Sequence, residues 1–475
     1  MNPRSHFITR RAALQQTACG FGSLALAGLC ADSVRAADPL AAKKTHLRPK
    51  AKRIIFLFMQ GGPSHVDTFD YKPMLYKNDG KKMPFDDART IAKTGKRATS
   101  ERVMKPMWDF KQYGESGRRV SELFRETAKH SDDLTFIHSM HTEGVAHGPA
   151  TLFLHCGSTS FVRPSFGSWV NYGLGSENEN LPGFISLGPP TGVGGSRNYG
   201  SAFLPSAHQD TAIGKEGKID KNATIRNLSN ANLSKAEQQR QLKFLQNLNA
   251  KQMENGRRDS ELEAVISSYE LAWRMQNNAP DVLDLSRETP STMTMYGIGE
   301  KETDNFGRQC LMARRLCEKG VRFVQVTYGG TGGTSNWDQH SNLSQHAKHA
   351  KAVDKPIAGL LQDLKQRGLL EDTIVWCSGE FGRTPYAQKN GTGRDHNADG
   401  FTTWLAGDCL KSGFAYGSTD EFGHKAVENK VHMHDLHATL LHLLGLDHER
   451  LTYQYAGRNF RLTDVHGSLV RDIIA

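Results

Sequence analysis

Cysteine is scarce: seven in 475 residues, with no Cys-x-x-Cys pair. That excludes a disulfide scaffold. Cys19 and Cys30 fall in an amino-terminal segment that reads as removable. The five that remain, Cys156, Cys310, Cys317, Cys377 and Cys409, form an odd, sparse set expected to be buried as small apolar side chains. Long hydrophobic runs are missing as well. The apolar stretch at 20–29 is far short of the ~20 residues that cross a bilayer, so no membrane span is expected. Charge of one sign is also limited. The formal net charge of +10 falls to +7 once Arg4, Arg10, Arg11 and Arg35 leave together with Asp32. The remaining basic residues are scattered, not striped, which argues against a nucleic-acid partner. A mildly basic surface still favours anionic esters or sulfated glycans. No internal repeat is visible.

What is present begins with residues 1–37. Arg10 and Arg11 form a twin-arginine pair, 20–29 is a short Gly/Ala/Leu run, and Val34-Arg35-Ala36 places small residues at a cleavage site. The expectation is a signal peptide and a periplasmic or secreted mature protein. Twin-arginine routes resemble those used by proteins that fold before export, often around a metal.

Beyond the signal, residues 50–475 read as one α/β domain. Continuous apolar runs at 53–59 and 372–377, with shorter ones at 134–137, 184–187, 321–326 and 402–406, have the character of strands buried on both faces. Helical patterns are expected at 120–128, 149–155, 166–174, 304–319, 346–367 and 435–444. Residues 72–118 look like a polar excursion with little periodicity. Around 222–278 the composition turns polar with helical spacing, which suggests an exposed helical insertion without chemistry of its own. Alternating strands and helices predict a doubly wound sheet whose ligands bind beyond the carboxyl ends of its strands.

Four loops at those ends concentrate histidine and acid. They hold His65 and Asp67; His141 and His147; Asp338 and His340; and Glu380, Arg383, Arg394, Asp395 and His396. Each has a bland explanation as a hydrogen-bonded loop. Together, carboxylate and imidazole donors at one sheet edge suit a divalent metal, which polarises phosphoryl or sulfuryl oxygens.

Several motifs then carry a family resemblance. The Gly-Gly-Pro-Ser-His-Val-Asp loop at 61–67, Asn-Phe-Gly-Arg at 305–308, Gly-Glu-Phe-Gly-Arg-Thr-Pro at 379–385, Gly-Arg-Asp-His-Asn at 393–397 and Arg-Leu-Thr-Asp-Val-His-Gly at 461–467 resemble an exported bacterial, sulfatase-like family classed as a domain of unknown function. The helix-to-strand segment at 346–382 and the helix at 435–445 are similar to segments of the alkaline phosphatase/sulfatase superfamily. The resemblance implies an alkaline-phosphatase-like, mostly parallel doubly wound sheet flanked by helices. It also implies hydrolysis of a phosphate or sulfate ester with a divalent metal such as zinc, calcium or manganese.

Departures from the superfamily shape the site expected here. Glu380 stands where sulfatases carry an aspartate ligand. His147 stands where their nucleophile belongs, with Pro149 and Cys156-Gly157 in register and Thr151 in place of arginine. No formylglycine precursor motif exists. The expected metal ligands are therefore Asp67, Asp338, His340, Glu380, Asp395 and His396. His65 and His147 are ligands or the acid/base, and Arg383 or Arg394 clamps the anion. Metal-activated water is favoured over attack by His147. The competing class is a non-catalytic, exported metal- or glycan-binding protein that keeps the fold.

Overall fold

The computed structural model describes residues 40–84, 102–219, 232–255, 260–330, 335–388 and 391–475. The twin-arginine segment lies outside them, as do 331–334 of the glycine-rich loop.

Arg53–Met59 (β1) is buried at every position. Ile55, Leu57 and Met59 join one apolar core, while Ile54, Phe56 and Phe58 join a second. Successive strand side chains point to opposite faces, so a strand covered on both sides reads as an unbroken apolar run. Among the described residues a nine-stranded sheet assembles around β1. Its other members are Leu134–His141 (β2), Phe184–Leu187 (β3), Thr211–Ile213 (β4), Phe323–Tyr328 (β5), Thr373–Ser378 (β6), Phe401–Ala406 (β7), Phe414–Tyr416 (β8) and Val431–His432 (β9). The order is β8-β2-β7-β6-β1-β5-β3-β4, with β9 beside β2. Only β7 runs against its neighbours β6 and β2; the other pairings are parallel. This is the mixed, mostly parallel sheet flanked by helices that the sequence implied.

Helices His147–Cys156 (α1), Phe166–Leu174 (α2) and Met433–Leu443 (α7) cover the face that holds Phe56. Ser260–Leu283 (α4), Asp304–Glu318 (α5) and Gln345–Gln366 (α6) cover the face that holds Leu57. Lys235–Asn255 (α3) pairs with α4 and leaves Phe244 and Leu248 exposed. Among the described residues no helix is long and apolar enough to cross a membrane.

Two expectations change. The insertion is not wholly an exposed excursion, because Leu271 and Met275 of α4 are buried in the apolar core. A buried stripe on one helix face is compatible with a polar average composition. The helix expected at 120–128 is instead a strand, Arg118–Ser121, followed by two 3-10 turns, Glu122–Phe124 and Thr127–Asp133. Ser121 caps the first turn, and the Asp354 carboxylate accepts the amides of Glu126 and Thr127, each at 2.8 Å. Those tertiary acceptors replace the helical ladder.

Candidate metal centre

Because β7 is antiparallel, the chain entering it lies at the same sheet edge where β2, β5 and β6 end. The segments around 145–147, 335–340, 379–383 and 394–397 therefore meet there, beyond the carboxyl ends of the parallel strands. α1 begins at His147 with Pro149 in its first turn, where a missing N–H costs nothing. It ends at Gly157, whose left-handed φ of 65° returns its amide to Phe153. His396 and Arg394 sit on a two-stranded hairpin of Gly382–Ala387 with Arg394–Asn397.

His147, Asp338, His340 and His396 each present one ligand atom, and these atoms lie within 4.8 Å of one another. The Asp338 carboxylate is the hub. Its Oδ1 lies 2.9 Å from His340 Nε2 and 3.3 Å from His396 Nε2, and its Oδ2 lies 3.0 Å from His147 Nε2. The Nε2 atoms of His340 and His396 face each other at 2.9 Å. His147 Nε2 is buried and makes no aligned hydrogen bond, so its approach to Asp338 is a charge contact. Three imidazoles and a carboxylate with Nε2 inward are the types of donor that nitrogen-rich metal sites use.

The outer nitrogens are held from behind. His147 Nδ1 meets Glu380 Oε1 at 2.6 Å, and His396 Nδ1 donates to the Val145 carbonyl at 2.8 Å. His340 Nδ1 lies 3.5 Å from Asp395 Oδ1. A proton placed on Nδ1 by such an acceptor leaves the Nε2 lone pair facing inward. Burial disfavours a charged His147, but the contacts with Asp338 and Glu380 outweigh it and push the imidazole up to about 9. For Asp338 burial opposes ionisation, yet the three imidazoles and Arg383 hold it well below the usual carboxylate range. Burial lowers His396, with Asp338 opposing.

The remaining predicted residues fall in a second layer or outside it. Glu380 is fully buried and stands behind His147; both its oxygens also accept the Gly61 amide, at 3.1 and 3.0 Å. Asp395 accepts the His396 amide at 2.8 Å. Arg383 does not face outward as a clamp: it is buried, donating to the carbonyls of Gly61 and Gly62 and to Asp338 at 2.8 Å. Arg394 is likewise buried, bonded to Thr384 and Met104 carbonyls and to Asp67 at 2.6 Å. That pairing takes up Asp67, which stays outside the four-residue group. His65 is also apart. It donates from Nε2 to the Gly423 carbonyl at 2.7 Å, and burial lowers it to about 4, with Asp70 opposing.

Three contributors escaped the sequence reading. Gly61 adopts a φ of 110°, and a side chain there would strike the backbone of Asp338 at 2.8 Å. The Gly-Gly pair after a strand was its available signal. Phe381 packs its ring 5.1 Å from His147 and 4.4 Å from His396. Val145 acts through its carbonyl, which no side-chain pattern reveals.

A family model described as a protein of unknown function (DUF1501) matches residues 51–474. No curated protein matches the chain. Among solved structures, Ps i-CgsB in complex with k-i-k-neocarrahexaose is similar over 83% of this chain and 72% of its own, with 11% identity and a TM-score of 0.38. PsFucS1 sulfatase from Pseudoalteromonas sp. is similar over 84% and 68%, with 12% identity and a TM-score of 0.36. TAB5 alkaline phosphatase with bound magnesium is similar over 79% and 96%, with 12% identity and a TM-score of 0.32.

Proposed function

The chain belongs to the DUF1501 family, and we propose that it is an exported, metal-dependent hydrolase of phosphate or sulfate esters that works without the usual sulfatase nucleophile. The observation that carries this reading is the convergence of His147, Asp338, His340 and His396 within 4.8 Å, with the buried His147 Nε2 lacking a hydrogen bond. In this reading those four side chains hold one divalent ion. Three nitrogens and a carboxylate suit zinc better than calcium, which takes an all-oxygen shell. Such an ion polarises an ester oxygen and makes water more acidic.

The chain's own residues prepare the place. Glu380 and the Val145 carbonyl keep the Nδ1 protons of His147 and His396, and Arg383 fixes the Asp338 carboxylate. α1 starts at His147, itself one of the four, so the amino terminus of this helix lies at the cluster, a position that favours anionic oxygens. Water is the attacking group, since Cys156 and Thr151 are buried. The twin-arginine pair and the cleavage signal at 34–36 support export to the periplasm or beyond.

One observation favours a second reading, a non-catalytic metal- or glycan-binding protein. Arg383 and Arg394, the expected clamps, are buried and committed to protein acceptors. An assay of zinc-loaded, full-length protein on aryl phosphate monoesters, diesters and aryl sulfates separates the two. Turnover that chelation abolishes and zinc restores is expected; bound zinc without turnover on any ester supports the second reading.

A further inference from the structure

A cavity of about 300 Å³ shares no lining residue with the four-residue cluster. Phe136 and His138 of β2 line it, with Phe69 and Tyr71 from the segment after β1 and Arg118 and Arg119 from the strand Arg118–Ser121. Its size is at the lower end of the ~300–1,000 Å³ of small-molecule sites and suits one ring-sized unit.

The two arginines are held on one side only. Arg118 donates from Nε to the Gly413 carbonyl at 3.1 Å, and the Arg119 guanidinium lies over the Tyr71 ring, 4.7 Å from its centroid. Among the described residues neither meets a carboxylate. A guanidinium stacked on a ring keeps its in-plane N–H fork free for an oxyanion. Asp70, also in the lining, is already balanced by Lys72 at 3.1 Å and bonded to Thr419 at 2.5 Å. His138 is anchored to Thr402 through Nδ1 at 3.1 Å, which leaves its other ring nitrogen for a hydroxyl. Phe69, Tyr71 and Phe136 supply the apolar part of the lining, against which the C–H side of a saturated ring can rest.

We propose that this cavity is a second, separate binding site for a single sugar unit bearing a sulfate, phosphate or carboxylate group. It stands apart from the proposed hydrolysis, and its test uses neither turnover nor bound metal.

Calorimetry or ligand-observed NMR on the full chain, with glucose 6-sulfate, glucose 6-phosphate and glucuronate as probes, tests it. Glucose and inorganic sulfate serve as controls. The expected result is binding of at least one charged sugar, weaker at high salt, with glucose and free sulfate each much weaker. Arg119→Gln or Arg118→Gln should reduce affinity about tenfold or more by removing a charge-assisted pair. Arg119→Lys, which keeps the charge but loses the stacked fork, should also weaken it. Both arginines are partly exposed, so the variants are expected to fold, which a thermal melt checks. Undiminished binding in the folded double variant Arg118→Gln/Arg119→Gln overturns the assignment. So does failure of all three charged probes, or inorganic sulfate binding as tightly as the sugar sulfate.

Discussion

Glu380→Gln is the perturbation that isolates the layer behind the proposed metal ligands. Glu380 is fully buried, its Oε1 lies 2.6 Å from His147 Nδ1, and its oxygens accept the Gly61 amide. Glutamine keeps the shape and an acceptor for Gly61 but removes the negative charge that favours the Nδ1 proton and strengthens Nε2 as a donor. A hydrogen bond to a charged group is worth ~1.5–3 kcal/mol. That corresponds to a loss of about 10–100-fold, the range typical of outer partners of metal-bound histidines. Zinc affinity, read by competition with a chromogenic chelator, should fall by that factor while the melting profile of the metal-free protein stays cooperative. An unchanged affinity in a folded variant refutes the role given to Glu380. Complete loss of zinc, equal to that of His147→Ala, would make Glu380 itself a ligand.

Zinc uptake should depend on pH, because His147 is raised to about 9 and zinc must displace its proton. Apparent affinity should climb as pH rises toward that value, with proton release measurable in buffers of different ionisation enthalpy; a flat profile contradicts it. In metal-free protein the sign is opposite for stability. The protonated His147 contributes fully below about 6.5, and that contribution fades as pH rises through about 9. Arg394→Met should cost ~3–5 kcal/mol in denaturant unfolding, since it strands the buried Asp67 charge. A stable Arg394→Met variant that loses zinc would return Asp67 to the ligand set. Met275→Ala in α4 should cost ~2–5 kcal/mol. Phe244→Ala in exposed α3 should stay within ~0.5 kcal/mol. Equal effects of these two changes would contradict the buried role of α4.

The sheet was legible because it is buried on both faces: strands such as β1 and β6 are buried at every position and carry polar residues only at their ends. Clustering of His and Asp at strand ends was legible for the same topological reason. What the sequence could not rank was which acids face the shared centre and which stand behind it. Asp67, Glu380 and Asp338 are equally acidic in sequence. They differ in space because Arg394 pairs with the first and His147 Nδ1 engages the second, while three imidazole Nε2 atoms surround the third. Arginine chemistry misled in the same way. A guanidinium near a site reads as an anion clamp, yet Arg383 and Arg394 spend their donors on backbone carbonyls and on Asp338 and Asp67. The α4 stripe was hidden by the polar residues that share its helix.

The most direct test is an anomalous difference map at the zinc edge from crystals of the zinc-loaded, full-length protein. One strong peak is expected about 2.0–2.2 Å from the Nε2 atoms of His147, His340 and His396 and from an Asp338 oxygen. Zinc bound elsewhere, or no peak at this cluster after loading, would contradict it.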